Sequence, residues 1–217
     1  MTSISKILAT ALLATSLTGL ATAPAFADET AELRVLKAFS KIRIKGAVEL
    51  NIEIGDKQSV EIITEEDFHT RIETDVRGKT LTIDQDDWDD RDWEDVDVVV
   101  NLTMTAFDYL QIDGAADVDA VGIKAKEFGL QINGAGDIHL EGTCDEAEYK
   151  INGAGDLDAK GLECKVVDVQ IRGAGDADVF ASEEVDAGIF GVGDITAYGD
   201  PSKVNRRIFG MGDFRKR

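Results

Sequence analysis

Apolar and polar residues alternate along most of the chain, and glycines interrupt the alternation at a regular interval. In the second half, a phrase of the type Ile-Asn-Gly-Ala-Gly-Asp occurs six times, in steps of 18 to 20 residues. The first glycines of the six copies are Gly114, Gly134, Gly153, Gly173, Gly191 and Gly210. A period this constant is typical of a repeat architecture.

Both flanks of each glycine corner have the period-two alternation of a half-buried strand. In one copy the apolar positions are Phe128, Leu130 and Ile132 before the corner, and Ile138 and Leu140 after it. Such a unit cannot bury its own apolar face, whereas units stacked in register share a continuous core. We therefore predict an all-β fold, a right-handed parallel β-solenoid of about 19–20 residues per coil with N-terminal strand insertions.

An antiparallel meander is the alternative, because Asn-Gly is also the commonest short hairpin turn. The two cysteines favour the solenoid, since Cys144 and Cys164 each stand nine residues before the first glycine of a copy. Stacked coils would bring these residues within the Cα separation that a disulfide needs. We predict a disulfide between Cys144 and Cys164.

The first half of the chain also has strand patterns. Ile44-Lys45-Gly46-Ala47-Val48 is a degenerate copy of the phrase, so we expect it to form the first coil, with strands inserted before Gly114. The expected organisation is a signal peptide over residues 1–27 and one domain over 28–217. Within it we predict strands and an acidic loop at 28–105, the six-repeat solenoid at 106–213 and a basic tail at 214–217.

The N-terminus has the features of a secretory signal peptide. Lys6 precedes an apolar run, and Ala25-Phe26-Ala27 is a small-x-small cleavage signal. We expect export to the periplasm or the cell surface, where a cysteine pair is normally oxidised. No second apolar run approaches the length of a membrane helix, so we predict no membrane insertion.

The formal net charge of −20 limits the partners. A surface this acidic repels nucleic acids and anionic lipid. The expected partner is an envelope or surface protein or a glycan, and self-association is a further option.

An aspartate follows the glycine corner in every copy, and stacked coils would align these residues in one column. Their structural role would be to accept backbone N–H groups at the corner, as aspartates in turns do. The alternative is a ladder of Ca²⁺ ligands, although the Ca²⁺-binding nonapeptide repeat is absent. The column comprises Asp117, Asp137, Asp156, Asp176, Asp194 and Asp213.

A run of carboxylates over residues 84–95 contains both tryptophans, Trp88 and Trp93. A solvated acidic loop is the simplest interpretation. A cation site is an alternative, but the central glycine of an EF-hand loop is missing. Trp88 and Trp93 are candidate ligand-binding residues, because exposed aromatic rings stack on sugars or anchor a partner.

No combination of residues indicates catalysis, so we predict no catalytic residues, no enzyme activity and no cofactor other than the Ca²⁺ alternative. The two histidines, His69 and His139, are far apart in the repeat scheme. A carbohydrate-active enzyme or carbohydrate-binding protein that uses the acidic face is the rival hypothesis. At the end of the chain, polar and basic residues predict a capped last coil.

The phrases Ile132-Asn133-Gly134 and Ile151-Asn152-Gly153 resemble the motif of the head GIN domain of autotransporter adhesins. The resemblance covers roughly residues 39–212. It implies a β-helical fold and a role at the cell surface or in the periplasm. Only four residues follow Asp213, so we expect no translocator or anchor after the repeats.

Overall fold

The computed structural model describes residues 29–85 and 96–217, which are almost entirely β-structure. The described residues contain a single 3-10 helix, at Glu66–Arg71. That helix is far too short to cross a membrane, and the described residues contain no membrane-spanning helix. The strands are β1 (Glu29–Leu33), β2 (Lys41–Ile54), β3 (Ser59–Glu65), β4 (Ile72–Arg77), β5 (Thr80–Gln85), β6 (Val99–Met104), β7 (Tyr109–Ile132), β8 (Ala135–Ile151), β9 (Ala154–Ile171), β10 (Ala177–Ile189), β11 (Ile195–Tyr198), β12 (Lys203–Ile208) and β13 (Phe214–Lys216).

Successive repeats pair in parallel and in register. Ile132 of β7 is opposite Ile151 of β8, which is opposite Ile171 of β9. Each repeat therefore lies one strand spacing, about 4.8 Å, from the next. The predicted all-β class and the parallel stacking of the repeats are confirmed. The right-handed solenoid winding stays a prediction.

Two columns of paired strands run through this mixed sheet, one on each side of the glycine corners. The first column begins with β4 and β5, continues through the first part of β2 and the long strands, and ends at β12. The second column begins with β1, β3 and β6, continues through the second part of β2, and ends at β11 and β13.

The first half of the chain supplies the start of both columns. Gly46 is opposite Gly114, so the degenerate phrase forms a rung below the first full repeat, as predicted. The degenerate phrase lies within one continuous strand, β2, that runs on both sides of Gly46. The 3-10 helix and the edge strands β1 and β4 had no distinct pattern in the sequence. The predicted signal peptide lies outside the described residues.

The core consists of the apolar residues that alternate along the strands. Ile112, Ile132, Ile151, Ile171 and Ile189 occupy equivalent positions in successive repeats, and all are inaccessible to solvent. The predicted disulfide is present: Cys144 and Cys164 are bonded, with their Cα atoms 4.5 Å apart. Both cysteines are buried. The bond therefore joins two neighbouring repeats across one strand spacing.

Candidate binding surface

The glycine corners bring the backbones of neighbouring repeats so close that no side chain fits between them. A Cβ atom on Gly153 would lie 2.0 Å from the carbonyl oxygen of Gly134, and one on Gly173 would lie 2.0 Å from that of Gly153. The second glycine of the phrase is equally crowded, since a Cβ on Gly175 would lie 2.0 Å from the carbonyl oxygen of Gly155. Close approach of the backbones therefore requires glycine at these positions.

The aspartates of the phrase connect the corners along the stack. The N–H groups of Asp176, Asp194 and Asp213 donate to Oδ1 of the aspartate one repeat earlier, at 2.7 to 2.8 Å. Leu157 N–H donates to the Asp176 carbonyl at 2.9 Å. In a regular parallel pair, Asp176 N–H would donate to the Gly155 carbonyl. The Asp156 carboxylate accepts that N–H instead, at a point where the backbone ladder is irregular.

Beside the corners, carboxylates from consecutive rungs line a shallow groove of about 400 Å³. We call this surface the acidic groove. At its centre, His139 lies between two carboxylates, with Nε2 3.1 Å from Glu141 Oε1 and Nδ1 3.7 Å from Asp158 Oδ2. The charged residues of the groove are Glu49, Asp117, Asp119, Asp137, His139, Asp156 and Asp158. The structure therefore brings three of the six candidate aspartates, Asp117, Asp137 and Asp156, onto one surface.

The aspartates of the candidate Ca²⁺ ladder also accept hydrogen bonds from the backbone. Asp156, Asp176 and Asp194 each use Oδ1 to accept a backbone N–H. Within residues 29–85 and 96–217, no group of three or more His, Cys, Asp or Glu residues is arranged to hold a metal ion. Binding of Ca²⁺ by these aspartates stays a prediction.

On the other side of the corner, amide side chains form a second ladder. Asn152 Nδ2 donates to Asn133 Oδ1 at 3.1 Å, and Asn133 Nδ2 donates to Asp113 Oδ1 at 2.7 Å. Arg43 Nε donates to Asp113 Oδ2 at 2.6 Å. Partial burial would raise the pKa of Asp113, but hydrogen bonds from Gln111, Asn133 and Arg43 outweigh it and lower the pKa below its ordinary value. The asparagines that make the phrase recognisable thus tie the repeats together.

The ladder becomes aromatic in the last two repeats. The Arg172 guanidinium carbon lies 5.6 Å from the centroid of the Phe190 ring, and the Phe190 and Phe209 rings stack with centroids 5.5 Å apart. The Phe209 side chain is largely exposed. The two rings therefore form a small apolar patch at the C-terminal end of the stack, near the exposed Met211.

The sequence also points to the two tryptophans and to His69. Trp88 and Trp93 lie outside the described residues. His69 is buried in the 3-10 helix, where its Nε2 lies 2.9 Å from both the hydroxyl and the carbonyl oxygen of Thr30. Arg34 also donates to the His69 carbonyl, at 2.7 Å. His69 thus holds β1 against the rest of the fold, a role that the local sequence did not indicate.

A family model described as "Putative auto-transporter adhesin, head GIN domain" matches residues 38–201. The chain belongs to this family. The resemblance inferred from the Ile-Asn-Gly phrases is therefore confirmed, over nearly the range expected. No curated protein matches the chain.

Several solved structures are similar to this chain. A "putative adhesin" from Bacteroides fragilis is 21% identical, with a TM-score of 0.68, over 88% of this chain and 97% of that one. A "putative adhesin" from Parabacteroides merdae is 17% identical, with a TM-score of 0.48, over 87% and 96%. A "putative lipid binding protein" from Parabacteroides distasonis is 16% identical, with a TM-score of 0.48, over 88% and 97%. The fold of this chain is therefore similar to that of the Bacteroides fragilis protein along nearly the whole length of that protein.

Proposed function

We propose that this head GIN domain protein is an exported, non-enzymatic binding protein of the adhesin type, with a right-handed β-solenoid as its rigid support. Family membership supports the role at the envelope or cell surface. The acidic groove is the observation that carries the proposal. It is open, extends across consecutive rungs and consists mainly of carboxylates held on strands. Such a surface fits an extended ligand better than a small substrate, which usually needs an enclosed pocket.

The charge of the groove indicates the chemistry of its ligand. Asp119 and Asp158 stand on either side of His139 in register, so the two aspartates are two strand spacings apart. A row of carboxylates attracts a basic segment of a surface protein or an amino-substituted glycan. We favour the basic protein segment, because the long, flexible side chains of its lysines can reach carboxylates on several rungs of an open groove.

The experiment compares two variants with the same change in charge. In the first, Asp119→Lys with Asp158→Lys reverses charge inside the acidic groove. In the second, Glu148→Lys with Asp168→Lys reverses charge on the other column, where Glu148 and Asp168 are opposite each other. Neither pair includes Asp156, whose carboxylate supports the corner.

Labelled protein is applied to an array that carries lysine-rich peptides, neutral glycans and amino-substituted glycans. The proposal predicts that the groove variant loses at least about tenfold in affinity, equivalent to about 1.4 kcal/mol, while the matched variant binds like the parent. Equal binding by both variants would place the ligand elsewhere. Turnover of any glycan on the array would overturn the non-enzymatic role and favour the carbohydrate-active alternative.

Thermal melts of the parent and the groove variant test the cation hypothesis. If the carboxylates hold Ca²⁺, added Ca²⁺ should raise the melting temperature of the parent and EDTA should lower it again, and the groove variant should respond less. Equal melting temperatures with Ca²⁺ and with EDTA would rule out a Ca²⁺ ladder.

A further inference from the structure

The column of strands that ends at β12 has an open edge at its C-terminal end. β12 pairs with β10, and no strand among the described residues covers its outer side. All six residues of β12 are exposed, and Val204 and Ile208 are 37% and 38% exposed. They stand opposite Val185 and Ile189 of β10, which are inaccessible to solvent. Two side chains that continue the core therefore remain in contact with water.

The backbone of β12 presents hydrogen-bonding groups on the same open side. Phe209 N–H donates to the Ile189 carbonyl at 2.7 Å, so Phe209 and every second residue before it face β10. The N–H and C=O groups of one residue point to the same side of a strand, and this side alternates along the strand. Val204, Arg206 and Ile208 therefore direct both groups away from β10. An edge of this kind is a template for one more strand.

The charged side chains of β12 are all basic, although the whole chain is acidic. They are Lys203, Arg206 and Arg207. Lys203 pairs with Glu184 of β10, and Arg207 pairs with Asp186 of β10 at 3.0 Å. Lysine and arginine carry several N–H donors. Each of these two cations can therefore also bind a carboxylate on the outer side of β12.

Arg206 has no charged partner in the part of the chain that the structure describes. It stands opposite the buried Ala187 and between Val204 and Ile208, on the face of β12 that continues the core. Its guanidinium makes no hydrogen bond or ion pair with a described residue. A neutral strand added at this edge would cover an unpaired charge, and a basic strand would add a like charge. An acidic side chain would pair with it instead.

The stack already holds one cation between acidic residues of the two neighbouring strands. Lys165 of β9 pairs with Asp145 of β8 at 2.6 Å. The hydrogen bond to Asp145 is the main cause of the raised pKa of Lys165, and the charge of Glu183 on β10 raises this pKa further. An acidic segment beyond β12 would place Lys203 and Arg207 in the same kind of environment.

We propose that β12 is a docking edge for an extended acidic segment of a partner protein, which adds to the sheet as one further strand. The backbone of the segment pairs with Val204, Arg206 and Ile208, as in other cases of strand addition. Its carboxylates bind the three cations of β12, and its apolar side chains cover Val204 and Ile208. The edge lies apart from the acidic groove, so this proposal does not depend on what the groove binds.

The basic side chains of β12 also determine which strands are excluded. Charged residues on an edge prevent the pairing of like edges, so two copies of β12 would bring basic residues together. The net charge of the chain does not exclude an acidic segment. At physiological ionic strength the Debye length is about 8 Å, so the charges nearest to the edge dominate the contact.

The probe is a labelled peptide of sequence Glu-Val-Glu-Glu-Glu-Val-Glu, which reads the same in both directions. In either strand direction it places valines beside Val204 and Ile208 and a glutamate beside Arg206. One control peptide has lysine in place of every glutamate, and the other has both valines at one end. The purified protein at physiological salt is expected to bind the first peptide at least about tenfold more tightly than either control.

Two variants of one residue separate the charge of the edge from its backbone. Arg206→Gln removes the charge and keeps the N–H. Arg206→Pro removes both, and proline is tolerated on an edge strand where the N–H faces outward. Each is expected to bind the acidic peptide at least about tenfold more weakly than the parent. Lys150→Gln is the matched control, because it removes one positive charge from β8, three strands away, and should bind like the parent.

Amide hydrogen exchange of the parent, followed by NMR, gives the decisive readout. In the complex, exchange should slow at the N–H groups of Val204, Arg206 and Ile208 and change little at those that already face β10. Circular dichroism of each variant confirms its β-structure before the comparison is made.

Four results would overturn the proposal. The acidic peptide could fail to bind, or the lysine peptide could bind equally well. Binding without slower exchange at the three outward N–H groups would mean that no strand is added. A parent that forms dimers which Arg206→Pro abolishes would assign the edge to a second copy of this chain.

Discussion

The backbone N–H of Asp176 donates a 2.8 Å hydrogen bond to Oδ1 of Asp156, the equivalent residue one repeat earlier. The next two repeats have the same bond. The aspartate that occurs in all six copies thus has a structural role that requires no bound ligand. Asp156 also lines the acidic groove, whereas Oδ2 of Asp194 pairs with Arg215 at 2.9 Å.

Removal of this acceptor should destabilise the protein measurably. Asp156→Ala leaves the Asp176 N–H without its partner, and we expect a loss of about 1 kcal/mol in the free energy of unfolding. Asp213→Ala is the matched control, since no described backbone N–H donates to its carboxylate and its loss should be smaller. Urea titrations of both variants check the prediction. Equal losses would show that the bond along the column contributes little.

Substitution of a corner glycine should be more damaging. Gly153→Ala places a Cβ atom 2.0 Å from the Gly134 carbonyl oxygen, so adjacent repeats must separate. We expect a loss of about 3 kcal/mol, the upper part of the range for overpacking. Gly78→Ala is the control: its φ of +64° is strained for alanine, but its Cβ meets no atom within 4 Å. The control should lose about 1 kcal/mol. A similar loss at both positions would argue against the close approach.

Reduction of the disulfide should lower the free energy of unfolding without unfolding the protein. Cys144 and Cys164 are 20 residues apart, and a loop of this length predicts a stabilisation of about 3 kcal/mol. Urea unfolding with and without reductant should show that difference for the parent. The double variant Cys144→Ala with Cys164→Ala should be insensitive to reductant. An effect of reductant on that variant would mean that the reagent acts elsewhere.

The stabilising contribution of Asp113 should be lost in acid. Its pKa is lowered in the folded protein by Gln111, Asn133 and Arg43, so its stabilising contribution is present above the unfolded pKa. That contribution is lost as the pH falls through the lower, folded pKa. The difference in unfolding free energy between the parent and Asp113→Asn should therefore be largest at neutral pH and shrink in acid. Asp145→Asn, which breaks an exposed pair with Lys165, should show little difference at any pH.

The repeat core could be predicted from the sequence, because the 18- to 20-residue period and the alternation of apolar and polar residues both indicate stacked strands. The alternation of apolar and polar residues predicted that Ile132 and Ile151 belong to the core. The equal distance of Cys144 and Cys164 from the following corner glycine predicted the register of their repeats. The glycines were recognised as corners, but the reason for them was not, since contact with the preceding repeat is a tertiary property. The ladder between Asn133 and Asn152 follows from the same stacking, whereas its continuation from Asp113 to Arg43 joins residues 70 positions apart.

The ends of the stack were less predictable. β1 and β4 are short edge strands whose pairing depends on distant segments, and His69, which holds β1, has no local motif. The polar character of the last repeat predicted a cap, yet Val204 and Ile208 remain partly exposed on an open edge. A strand that ends a stack and a strand that pairs with a further strand can have the same charged composition. The sequence of β12 therefore does not show which of the two it is.

Each repeat lies one strand spacing from the next, and distances between spin labels test this arrangement most directly. Labels at Asp119 and Asp178 are three rungs apart, and labels at Asp119 and Arg215 are five rungs apart. Parallel stacking predicts that the second distance exceeds the first by about 10 Å, two spacings of about 4.8 Å. In an antiparallel meander each repeat would add two strands, and a difference of about 19 Å would contradict the account.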